Sequence, residues 1–128
     1  MKYCLGFILF FFSLTGFSQN EQLAQNYFDR GEFDKAVVVY EDVIKAQPYN
    51  YQAFQKTVAC YQQLKQYEKA EKLILARLEK MRQDNLYVEL GYNYQLQKNQ
   101  SKADKYYDTA LEKIKDNPNN TYGIAAAF

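Results

Sequence analysis

Asp34-Lys35-Ala36, Glu68-Lys69-Ala70 and Ser101-Lys102-Ala103 are one motif met three times, 34 and then 33 residues apart. Other positions keep the same step: Tyr27, Tyr61 and Tyr94; Ala24, Val58 and Gly91; Tyr40, Ile74 and Tyr107; Ile44, Leu78 and Leu111. A fixed period of this length marks a stack of helix pairs, each too small to bury its own apolar face. Such a chain is expected to offer a surface that holds another molecule.

The apolar pattern within each period is helical. Ala36, Val37, Tyr40, Val43 and Ile44 fall on one helix face. Ala70, Leu73, Ile74 and Leu78 repeat it with Arg77 intruding, and Ala103, Tyr106, Tyr107, Ala110 and Leu111 repeat it again. Companion helices are expected over 23–28, 53–64 and 87–96. Gly31 separates the first pair, Pro48 and Asn50 end the first unit, and Asn117-Pro118-Asn119-Asn120 ends the third. Ser101 is expected to cap its helix, with Asp104 three residues on. Val37-Val38-Val39 has strand propensity, which the helical period overrides. The predicted fold is all-α: a right-handed α-solenoid of antiparallel helix pairs, with about three repeats and a partial fourth. The units run over 17–50, 51–83, 84–117 and 118–128.

Residues 1–18 differ from the rest. Lys2 is their one charge, the stretch from Tyr3 to Phe12 is almost wholly apolar, and Gly16 and Ser18 supply small residues at a cleavage spacing. This pattern predicts a signal peptide removed after Ser18, leaving 19–128 as a single repeat domain. The stretch is short of the roughly 20 apolar residues a membrane span needs, so contact with a membrane is expected through the uncleaved leader alone. The protein is expected to be exported, to the periplasm or outer membrane, or secreted.

Loss of Lys2 leaves acidic and basic side chains in balance. That argues against nucleic acid, which selects a basic excess. Cys60 remains after cleavage and reads as a small buried apolar side chain. The chain has no histidine, and its five glycines form no phosphate-binding loop. The commonest general base and transition-metal ligand are therefore missing. Glu68 and Lys72 stand four apart, as solvated helix pairs do. No catalytic, cofactor-binding or metal-binding residue is expected, and the protein is read as a non-enzyme.

These residues resemble a tetratricopeptide-repeat protein. Leu23-Ala24, Tyr27, Gly31, Phe33, Ala36, Tyr40 and Pro48 match that family's pattern in the first unit. Phe54, Tyr61, Tyr67 and Ala70 match it in the second. In the third, Tyr87, Leu90-Gly91, Tyr94, Ala103, Tyr107 and Ala110 do so. Departures are Val58 at a small-residue place, Arg77 for alanine, and Lys65 and Lys98 for the turn glycine. The second unit is expected to be the least regular.

The resemblance implies a concave groove lined by the first helix of each pair. Carried over, it places Glu21, Gln25, Phe28 and Asp29 there from the first unit. Gln52, Gln55, Ala59, Gln62 and Gln63 follow from the second, and Asn85, Val88, Tyr92, Gln95 and Leu96 from the third. Amides and aromatic rings suit an extended peptide or a helix. A subgroup of the family clamps acidic chaperone tails with basic residues and asparagine. Here the matching places hold Glu21, Gln25, Lys56, Asn85 and Glu89, so that clamp is not expected. The expected function is an exported scaffold binding a protein or peptide in the groove. The alternative is an N-terminal recruitment region of a larger protein or enzyme.

One period beyond Gly91 and Tyr94 stand Ala125 and Phe128. Residues 121–128 thus read as the opening of a fourth unit. A fragment of a longer repeat protein is expected, ahead of self-association through this apolar end or a short capping helix.

Overall fold

The computed structural model describes residues 16–128, with side chains from Gln19 onward. The leader expected over 1–18 lies, up to residue 15, outside the described residues. Among the described residues there is no strand, and no helix is long and apolar enough to cross a membrane. Six helices follow one another, joined two by two through short turns: α1 (Gly16–Asp29) to α2 (Phe33–Ala46), α3 (Tyr51–Gln63) to α4 (Tyr67–Met81), and α5 (Leu86–Leu96) to α6 (Gln100–Asp116). A 3-10 turn (Pro118–Asn120) and α7 (Thr121–Ala127) follow. The valine triplet lies within α2, where helical burial of Val37 outweighs its β preference. The chain divides into two compact units, one ending at Cys60 and one running from Tyr61 to Phe128.

The turn within each pair is built the same way three times. Gly31, Lys65 and Lys98 all have positive φ, at 74°, 57° and 58°. In each turn the next residue's N–H reaches back over the helix end: Glu32 to Tyr27 O at 2.9 Å, Gln66 to Tyr61 O at 2.7 Å, and Asn99 to Tyr94 O at 3.0 Å. The left-handed residue itself donates to Phe28, Gln62 or Gln95. This is the Schellman arrangement, which satisfies the last helix carbonyls and reverses the chain. Two lysines therefore adopt the backbone conformation that glycine takes most cheaply.

The recurring lysine has a recurring partner. Lys35 lies 5.6 Å from the Tyr27 ring centre, Lys69 lies 5.8 Å from Tyr61, and Lys102 lies 5.0 Å from Tyr94. Each contact ties the start of one helix to the end of its predecessor by a cation–π interaction. The recurring alanine is equally constrained: Ala36, Ala70 and Ala103 are all fully buried.

In the first unit Ala24, Val37, Tyr40, Phe54, Val58 and Cys60 contribute to the core. Thr57 is buried too, its hydroxyl donating to Ala53 O at 2.8 Å. Burial pushes the Cys60 thiol up to about 11, although Lys56 pulls the other way, so it behaves as an inert apolar group. In the second unit Asn93 is buried yet satisfied: its amide donates to Tyr67 O at 3.0 Å and accepts from Gln62 at 3.2 Å. Arg77 occupies the buried face of α4, where its Nε donates to Gln83 Oε1 at 3.0 Å. The intruding charge is thus accommodated by the connection that follows α4.

One expected cap is corrected. Asn99, not Ser101, caps α6, and its Oδ1 accepts from the Lys102 N–H at 3.2 Å. Asparagine caps as well as serine, and the turn at Lys98 delivers Asn99 to the cap position.

Candidate functional site

α5 is apolar on most of its circumference. Leu86, Val88, Leu90, Gly91, Asn93 and Tyr94 are all buried, as befits a helix packed on several sides. Glu89, Tyr92 and Gln95 recur at steps of three and form the stripe that remains. Tyr107 of α6 and Phe128 beyond α7 approach this stripe and close a cleft of about 440 Å³.

The position of Tyr107 is decided by Gly91. A Cβ built on Gly91 would meet the Tyr107 ring at 2.4 Å, inside van der Waals contact. Without that methyl, the ring lies close against Gly91. The Tyr107 hydroxyl donates to Gln95 Oε1 at 2.7 Å, and its ring meets Phe128 with centres 5.5 Å apart. Burial raises the phenol's pKa, and Tyr92, Asp104 and Glu89 act in the same direction. Burial likewise pushes the Glu89 carboxyl above its usual range. The cleft is therefore aromatic and electronegative.

The floor is firm. Val88, Ala110 and Ile124 form a buried cluster, with Tyr107 and Ala127 packed against it. Val88 is buried in this cluster, beside Ile124 of α7, and also lines the cleft.

Of the remaining third-unit groove residues, Tyr92 and Gln95 line the cleft, and Leu96 is half-buried. Asn85 borders a different, polar hollow with Arg82, Asp84 and Asn120, in which Asn120 donates to Asp84 at 2.7 Å. On α3, Gln52, Gln55 and Gln63 are exposed, while Ala59 and Gln62 are half-buried.

The α1 residues are engaged within their own unit. Gln25 donates to Asp29 at 2.6 Å and accepts from the Tyr40 hydroxyl at 3.0 Å. Asn50 donates to Glu21 at 3.4 Å. Phe28 meets Phe33 edge-on at 5.2 Å and carries the Lys56 ammonium 4.1 Å from its ring centre. Sequence reasoning missed Tyr107 and Phe128 as lining residues. It assigned both to packing rows, and the signal for Tyr107 was the glycine opposite it.

A family model described as tetratricopeptide repeat matches residues 27–90, and a second with the same description matches residues 84–114. No curated protein matches the sequence. Several solved structures share the fold. SycD, a type III secretion translocator chaperone of Yersinia enterocolitica, is 18% identical with a TM-score of 0.67, covering 94% of this chain and 90% of that one. PcrH of Pseudomonas aeruginosa, in complex with the chaperone-binding region of PopB, is 19% identical with a TM-score of 0.65, covering 90% of this chain and 94% of that one. The first such domain of Spaghetti (RPAP3), bound to the HSP90 peptide SRMEEVD, is 22% identical with a TM-score of 0.61, covering 87% of this chain and 89% of that one.

Proposed function

The chain belongs to the tetratricopeptide-repeat family, and we propose that it is a non-enzymatic scaffold that holds a segment of another protein. The observation that carries this reading is the cleft on α5, where Tyr92, Tyr107 and Phe128 surround a polar stripe. Aromatic walls give a guest contact area at low entropic cost, and Gln95 offers it a hydrogen bond. The structures of PcrH with a PopB region and of RPAP3 with a peptide support the same class of activity. The groove residues of α1 and α3, Phe28 and Gln55 among them, are proposed as a separate partner-facing surface.

The reading includes export. The apolar leader and the small residues Gly16 and Ser18 support cleavage after Ser18 and a periplasmic, outer-membrane or secreted location. N-terminal mass analysis of the mature protein then starts near Gln19; intact Met1 in the membrane fraction opposes it.

Affinity capture from periplasmic and membrane fractions tests the binding class. Tyr92→Ala is expected to weaken capture of a specific partner by about 2 kcal/mol, the scale of an interface anchor. Phe28→Ala is expected to cost less, because Lys56 already covers that ring. Undiminished capture by Tyr92→Ala refutes the cleft as the site.

A further inference from the structure

Glu89 sits in the cleft with no counter-charge. No lysine or arginine lines the cleft, and among the described residues Glu89 forms no ion pair. Three acids elsewhere in the chain are engaged, Glu32 with Arg30 at 2.9 Å, Glu71 with the Tyr94 hydroxyl at 2.6 Å, and Asp29 with Gln25 at 2.6 Å, whereas Glu89 is half-buried without such a partner among the described residues. A half-buried carboxylate is costly unless something charged or hydrogen-bonding meets it. Around it stand the rings of Tyr92, Tyr107 and Phe128. An aromatic face attracts a cation and also accommodates the aliphatic stem of a long basic side chain. The carboxylate and the rings therefore ask for one and the same guest chemistry.

We propose that the cleft receives a lysine or arginine side chain of the bound protein segment, with Glu89 as its counter-charge and Tyr92 and Tyr107 as its walls. This rests on the protein-binding reading above and specifies its guest. It also separates this site from one for an acidic peptide such as SRMEEVD, whose carboxylates Glu89 would repel.

The test is selection from an unbiased peptide-display library on the purified protein and on its Glu89→Gln and Tyr92→Ala variants. Glu89→Gln removes charge while keeping shape. The wild-type protein should enrich peptides carrying lysine or arginine beside apolar residues. Replacing the basic residue of a selected peptide with glutamine should weaken binding about tenfold, the scale of one charge-assisted contact. On Glu89→Gln that discrimination should vanish. Enrichment of neutral peptides that still require Tyr92 overturns the basic guest and leaves the scaffold reading standing. Basic peptides enriched equally by Glu89→Gln also overturn it. Enrichment of nothing at all removes both readings together.

Discussion

Tyr40 and Tyr107 occupy the same place in the first and third repeats, in which Ala24 and Gly91 also correspond. The two neighbourhoods differ in what they leave available. In the first, Tyr40 is buried, its hydroxyl is held by Gln25, and burial pushes its pKa up to about 12. The acids and the Phe28 ring nearby already have partners within the chain. In the third, Gly91 lets the Tyr107 ring onto the helix backbone, and an aromatic cleft opens with an uncompensated glutamate. The same repeat position thus carries a tyrosine held within its own unit in one case and one that borders an open cleft in the other. Repetition fixes the scaffold without making its faces equivalent.

The parts common to all repeats should be the least forgiving. Ala70→Leu is expected to lose close to 3 kcal/mol of stability by overpacking, the top of the usual range, because Ala70 is fully buried. Denaturant titration reads the loss. An unchanged midpoint would mean that Ala70 has room beside it.

The glycine itself comes next. Gly91→Ala is expected to cost about 2 kcal/mol, since Tyr107 is braced by Gln95 and Phe128 and cannot retreat freely. It should also displace Tyr107 and weaken guest binding, whereas a change at Ala24 should leave binding intact. If Gly91→Ala folds and binds as wild type does, the contrast between the two tyrosine sites is lost.

The smallest effect is expected at the turns. Lys98→Gly should stabilise the protein by about 1 kcal/mol, because lysine bears the cost of left-handed backbone that glycine avoids. Gly31→Lys should destabilise by a similar amount. A thermal midpoint that moves the wrong way in either variant would show that the lysines are held there by contacts stronger than the strain.

Much of the fold was legible because it rests on periodic burial. The three buried alanines, the three turns and the helical course of Val37-Val38-Val39 all follow from position within the repeat. The cap of α6 was misread by two residues, since Ser101 and Asn99 are both good capping residues and backbone geometry chooses between them. The site was legible in part. Val88, Tyr92 and Gln95 could be placed from the repeat register, but the packing of Val88 against Ile124 could not, because register does not report what covers a side chain.

By itself, then, the sequence determined the helix pairs, their turns and the row of small residues, since each depends on interactions within one repeat length. Tertiary structure alone decided which repeat face carries the aromatic cleft. Tyr107, Phe128 and Glu89 come together around one cleft through contacts between helices, with the Tyr107 ring close against Gly91, and such contacts lie beyond one repeat length of sequence.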